Sequence, residues 1–205
     1  AARKFTRDGR PSIIFIDEFD ALCKSRGSEG QLYHQQMLAA ILSEIDGFAQ
    51  KGKRDLVMTV GATNRPWDLD AAVLSRFERR ILIDLPDTEA RADIFRIHLE
   101  DKGIPVDHRS LSYSRLANET ERLTGREIAR LCKEVTANML GEMNPEIPAL
   151  VDAGLKRLQD YEIKLRALRH SDFTTPLELL VPDTSEAEEH HYADWGKSLG
   201  RDKHA

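Results

Sequence analysis

The chain has 205 residues, with 35 acidic against 30 basic side chains and a formal charge of −5. That balance argues against a nucleic-acid binder, which presents a basic face, while 40% hydrophobic and 32% charged residues fit a packed core under a charged surface. No apolar stretch nears the ~20 residues of a membrane span, and two cysteines, Cys23 and Cys132, are too few for a disulfide framework, so a cytoplasmic setting is expected.

Ala1–Arg10 is polar and helical in character, unlike a signal peptide. Asp8-Gly9-Arg10-Pro11 then turns the chain into Ser12-Ile13-Ile14-Phe15-Ile16, five strand-forming residues that predict a fully buried parallel strand. Asp17 and Glu18 stand at its carboxyl end, where open α/β sheets place their ligands. One such carboxylate can hold a magnesium ion through water, and its neighbour can orient or deprotonate a water attacking a phosphate. Taken alone, the pair also reads as an acidic cap on a short helix from Phe19 to Lys24. Ser25–Gln31 is a polar, glycine-containing loop. Met37, Leu38, Ile41, Leu42 and Ile45 then recur at helical spacing up to Asp46-Gly47.

After the short basic loop Lys51–Arg54, a second apolar run, Val57–Ala62, predicts another buried strand that closes in Thr63-Asn64-Arg65-Pro66. The Asn64 amide can hold an attacking water or a phosphate oxygen without adding charge, and before Arg-Pro it reads equally as a turn residue. Arg76 sits in Leu74–Arg80, where a solvated surface charge is the plain reading. Ile81–Leu85 predicts a third strand, closed by Pro86.

From Asp87 onward helical periodicity replaces alternation, which places the domain boundary at Pro86-Asp87 and gives domains 1–86 and 87–205. Thr88–Lys102 reads as a helix with Ala90, Ile94, Ile97 and His98 along one side, followed by a helix over Ser110–Thr120. Thr124 and Glu127 form a capping box for a long helix to Met143, with Cys132 on its apolar stripe beside Ile128, Leu131, Val135 and Met139. The amino end of such a helix favours negative charge, so a nucleotide could lie against it. Val151, Leu155, Leu158, Tyr161, Leu165 and Leu168 step at three and four residues, a narrow helical seam. Asp172-Phe173 leads a short helix through Leu180, and Asp183-Thr184-Ser185 caps one from Glu186. His190-His191 lacks a second ligand cluster at metal spacing and reads as a solvated helix face.

The order of these segments resembles that of the AAA family of ATPases. Pro11 to Asp20 resembles the family's Walker B segment, and Gly61 to Asp70 its sensor 1 segment. Leu74 to Arg80 is similar to the arginine-finger stretch, and Leu123-Thr124-Gly125-Arg126-Glu127-Ile128 to the sensor 2 turn. The likeness covers most of Ala1 to Lys133, with a weaker echo at Asp172-Phe173 and at Tyr192 to Trp195, where the family's carboxyl-terminal helix packs on a neighbouring subunit or the large domain. Because Phe77 follows the arginine directly, the branch holding katanin, spastin and the ESCRT-disassembly ATPase is nearest, and valosin-containing protein is also similar. That branch usually carries two arginines before the phenylalanine, and here Ser75 precedes Arg76.

The resemblance implies an α/β fold: part of a parallel-sheet, P-loop-type nucleotide domain, then a small all-helical lid. It implies ATP and Mg²⁺ as ligands, with Asp17 at the metal and Glu18, Asn64 and Arg76 catalytic, Arg76 acting on the next subunit. His98, Gly125 and Arg126 would contact the nucleotide. A partly buried structural histidine and an exposed first-turn arginine are equally good readings of His98 and Arg126. Ser25–Gln31, with Tyr33 and His34 at its edge, matches the second pore loop. The partners implied are copies of the chain in a ring hexamer and a protein substrate to be remodelled or threaded, with neither nucleic acid nor a membrane span involved.

No G-x-x-x-x-G-K-[ST] loop occurs in the 205 residues. That loop supplies the amides and lysine that cradle phosphates. The chain is therefore expected to be the carboxyl-terminal part of an AAA domain, from Walker B onward, and inactive alone. The alternative is a non-catalytic assembly module that completes neighbouring subunits' sites. A metal-dependent phosphohydrolase built on Asp17, Glu18 and Asp20 is a third reading, and it leaves Arg76 and the sensor turn unexplained.

Overall fold

Pro11 and the β-branched run behind it set the first element. Ser12–Ile16 forms strand β1, Val57–Gly61 forms β2, and the two pair in parallel from Ser12↔Val57 to Ile16↔Gly61. The chain is seen in a computed structural model that describes residues 11–23, 36, 39–43, 57–152 and 161–198. The expectations at Ala1–Arg10, at the Ser25–Gln31 pore loop with Tyr33 and His34, and at Lys51–Arg54 lie outside the described residues. Parallel strands joined with helices give the expected α/β class. Two compact units emerge, Ala1–Leu82 with Tyr192–Ala205, and Ile83–His191.

In the first unit β1 is not buried on both faces as its apolar run predicts. Ile13 and Phe15 are 70% and 62% exposed, and Met58, opposite Ile13 in the register, is 61% exposed. Successive strand side chains point to opposite faces, and among the described residues only the Ser12/Ile14/Ile16 face is substantially covered. The third strand, over Ile81–Leu85, does not form, and Ile81 and Ile83 stand 69% and 90% exposed. A strand needs a neighbour to complete its ladder, and no described segment pairs with this one. The expected helix before β2 is present where it is described, at 39–43, with Ile41 and Leu42 half-buried.

The second unit holds a helical core of its own. Helix Thr88–Leu99 starts at Asp87, whose Oδ1 accepts from Ala90 N at 2.8 Å. It buries Arg91, Phe95 and Leu99, whereas Ile97, expected on the inner side, is 48% exposed. An arginine in the i, i+4, i+8 row hides that stripe from a hydrophobicity pattern. Arg91 tolerates burial because its guanidinium donates to Pro86 O (2.7 Å), Ala117 O (3.0 Å) and Thr88 Oγ1 (3.2 Å). The helix expected over Ser110–Thr120 is shorter, Tyr113–Glu119, capped by Ser112. Helix Gly125–Met143 forms with the expected capping box and buries Ile128, Leu131, Cys132, Val135 and Met139.

From 161 onward the helical seam expected from Val151 to Leu168 does not form, and its Leu155 and Leu158 lie outside the described residues. Helix Ile147–Asp152 is short, and 161–167 is non-helical, leading to a parallel bridge between Leu168 and Val106. Val151 and Leu165 are 55% and 46% exposed, and Leu168 alone of the described seam residues is fully buried. Asn144, 1% exposed, sets this path. Its Nδ2 donates to Leu140 O (2.8 Å) and Lys164 O (2.9 Å), and its Oδ1 accepts from Lys164 N (2.8 Å) and Tyr161 Oη (3.0 Å). Helices Ser171–Leu179 and Glu186–Ser198 follow, the latter begun by Ser185 exchanging hydrogen bonds with Glu188.

Candidate functional site

The two strands deliver their carboxyl ends side by side. Ala62 N donates to Ile16 O at 2.9 Å and Phe19 N to Ala62 O at 2.8 Å, carrying the pairing past β1 and β2. Asp17-Glu18 and Thr63-Asn64 therefore leave one edge as neighbouring segments. Asp17 Oδ1 accepts from Glu18 N at 2.9 Å, and Glu18 takes a positive φ of 49°. That conformation costs a non-glycine residue about 1–2 kcal/mol, and such positions concentrate at functional sites. Helix Phe19–Cys23 begins immediately afterwards.

Both carboxylates are exposed. Among the described residues the second oxygen of Asp17 takes no hydrogen bond, so one carboxylate remains to face a hydrated cation. Magnesium keeps most of its waters and needs only one or two carboxylates beside phosphate oxygens, so this sparse donor set fits it. Three or more His, Cys, Asp or Glu side chains grouped to hold a metal do not occur among the described residues. Asp20 in particular is committed elsewhere: its Oδ1 accepts from Thr63 Oγ1 at 2.8 Å. Asp17, Glu18 and Asp20 are not grouped as an all-protein metal site.

The Asp20–Thr63 tether is a part of the site that the sequence reading missed. Thr63 Oγ1 also accepts from Arg65 N at 3.0 Å, so one hydroxyl spans Asn64 on both sides. Pro66 then opens a single 3-10 turn, Pro66–Asp68, and Asp70 caps the helix Ala71–Leu74 through Ala72 N at 2.8 Å. Arg76 lies just beyond, exposed, its Nη1 donating to Ala72 O (3.2 Å) and to Ser75 Oγ (2.9 Å). Ser75 thus steadies the arginine it precedes. Phe77 meets the buried Phe19 edge to face, with centroids 5.4 Å apart. A Cβ on Gly61 would lie 3.3 Å from both rings, so the end of β2 tolerates little beyond glycine. One aromatic pair therefore anchors both the Glu18 turn and the Arg76 stretch.

Asn64 is exposed, and its carbonyl accepts a hydrogen bond from Tyr192 Oη. The remaining expected residues belong to the second unit. His98 is half-buried on helix Thr88–Leu99, and Gly125 opens the long helix with room for a Cβ at 3.5 Å from Ile94 Cδ1. Arg126 is exposed on the first turn. Neither member of the His190-His191 pair is buried, and His190 Nδ1 lies 2.8 Å from Glu186 O. No described helix is long and apolar enough to cross a membrane.

Residues 1–85 match the model of the ATPase family associated with various cellular activities (AAA). Over 197 residues the chain is 32% identical to a probable spastin homolog, spas-1, of Caenorhabditis briggsae, covering 96% of this chain and 34% of that protein. Its fold is similar to the FIGL-1 AAA domain in complex with ADP (TM-score 0.73, 26% identity, 98% of this chain and 63% of that one). It is also similar to a chain solved for the structural basis of katanin self-assembly (TM-score 0.71, 30% identity, 96% and 63%). The chain spans about a third of the length of the curated relatives it matches.

Proposed function

We propose that this chain is part of an AAA-family ATPase domain, as its match over residues 1–85 and its likeness to solved AAA domains support, and that its first unit supplies the hydrolytic half of an ATP site in the full-length protein. The observation that carries this reading is the shared strand edge, where Asp17-Glu18 and Asn64 emerge beside one another with Glu18 held in its left-handed turn. Glu18 takes up the proton of the attacking water, and the Asn64 amide holds that water in line with the γ-phosphorus. The new P–O bond forms as the bond to ADP breaks, so the products are ADP and phosphate. Mg²⁺, when bound near Asp17, neutralises phosphate charge. Arg76 reaches a neighbouring subunit's site, and His98, Gly125 and Arg126 in the second unit contact nucleotide.

The wider reading is a ring, most simply a hexamer, that turns hydrolysis into remodelling or threading of protein substrates. Likeness to a chain studied for katanin self-assembly supports the ring, and likeness to a domain solved with ADP supports the nucleotide. The test is Glu18→Gln in the full-length protein. Turnover is expected to fall at least ~100-fold while ATP still binds, because the substitution keeps shape and removes the base. Undiminished turnover would sink the assignment.

A further inference from the structure

The loop that presents Asn64 is gripped by a residue far away in sequence. We propose that Tyr192 is a positioning residue for hydrolysis, acting through the backbone of Asn64; the inference rests on the ATPase reading above. Tyr192 Oη donates to the Asn64 carbonyl, and the Tyr192 ring packs on Trp67 with centroids 5.0 Å apart at an interplanar angle of 60°. Trp67 lies in the 3-10 turn that ends the same loop. One tyrosine therefore holds the loop at its polar apex and at its aromatic exit.

The mechanical consequence follows from peptide planarity. The Asn64 carbonyl belongs to the rigid plane joining Asn64 to Arg65, so pinning that oxygen fixes the Asn64 ψ angle. The direction of its Cα–Cβ bond is then set relative to β2. From the other side, Asp20 holds Thr63, and Thr63 Oγ1 holds Arg65 N. The amide of Asn64 is thereby placed by restraints on both neighbours and on its own carbonyl. Helix Glu186–Ser198 is seated tightly enough to act as the fixed end. Gly196 is buried, and a Cβ there would come within 2.7 Å of Leu82 Cδ2. A side chain at 196 would have to push the tip of Leu82 aside.

A group that acts by orientation changes turnover more than binding. The experiment compares the full-length protein with Tyr192→Phe, which keeps the ring on Trp67 and removes only the hydroxyl. The expected result is a loss of about three- to tenfold in kcat, the effect of one neutral hydrogen bond, at unchanged ATP affinity. On an Asn64→Ala background the same substitution is expected to cost nothing further, since no amide remains to be positioned. In this 205-residue chain, Tyr192→Phe should speed amide exchange at Arg65, which is independent of turnover.

Unchanged kcat in Tyr192→Phe, with Asn64→Ala still damaging, overturns the inference alone. So does an equal loss on the Asn64→Ala background, which would place Tyr192 on another path. Full turnover in Asn64→Ala overturns the ATPase role of Asn64 and the inference with it, and the exchange result then tells whether the grip itself is real.

Discussion

Glu127 has no solvent exposure, yet it is held as an anion. Burial pushes its carboxyl up, but the Thr124 hydroxyl (2.6 Å), the Asp183 N–H (2.6 Å) and the Thr124 N–H (2.7 Å) outweigh it and leave it below the ordinary 4.5. A carboxyl lowered in the folded state stabilises it fully above the unfolded value, and that contribution is lost as pH falls through the folded value. Glu127→Ala should cost about 2–3 kcal/mol at neutral pH, from a lost cap and orphaned donors. Glu127→Gln should cost less, and its deficit should shrink below pH 4.5; urea titrations at pH 7 and pH 3.5 would show both. A Glu127→Ala protein as stable as wild type would mean that the donors find water instead. Gly125 offers a second check: a Cβ there would meet Ile94 Cδ1 at an ordinary contact distance of 3.5 Å, so Gly125→Ala should leave stability equal or raise it by about 0.4–1 kcal/mol. A weakened ATP affinity in the full-length protein would then report close nucleotide approach, and an unchanged one would remove Gly125 from the site. The Thr124–Glu127 box was legible because both partners lie within one turn. The tethers Thr63–Asp20 and Asn64–Tyr192 were not, since they join positions 43 and 128 residues apart and leave no periodic trace.

At the scale of elements, legibility followed how local the organising force is. Helix Gly125–Met143 was readable throughout because cap, stripe and length agree. The 161–168 segment was not, because its leucines happen to recur at helical spacing while an asparagine decides its course. Asn144 accepts and donates along the extended chain, and Arg166 reinforces it by pairing with both oxygens of Asp172 (2.7 and 2.9 Å) and with Glu142 (2.6 Å). Glu146 adds a contact from the other side: the Tyr161 hydroxyl (2.7 Å) and Lys164 (3.0 Å) draw its carboxyl down to about 2. Replacing Asn144 by Ala leaves the carbonyl of Lys164 and the amide of Lys164 without their partners. A loss of about 1–3 kcal/mol is expected, with amide exchange rising first over 161–168 and little over Gly125–Met143. Equal protection of that segment in the variant would show that Arg166 and Leu168 suffice to hold it. The missing third strand teaches the same point, for Ile81–Leu85 has the composition of a strand but no described neighbour to bond.

For the molecule as a whole, the buried core is unevenly shared. Phe95, Leu99, Leu116, Ile128, Leu131 and Phe173, all with no exposure, lie within Ile83–His191. Among the described residues of the first unit, Phe19 and Val73 reach comparable burial, while Ile13, Phe15 and Met58 face outward. Apolar burial is the main term that offsets chain entropy, so residues 83–191 should fold without the rest of the chain. Cys132 provides the reporter, being the one cysteine in that span. Its thiol is buried, and burial pushes its pKa up to about 12, so it is both inaccessible and almost wholly protonated at neutral pH. A disulfide reagent that needs the thiolate should leave it untouched in native 83–191 and react in step with loss of helical circular dichroism as urea is raised. One shared, cooperative transition for the two signals is the expected outcome. Rapid labelling without denaturant, or a gradual loss of helicity, would show that this unit depends on segments beyond 83–191 for its packing.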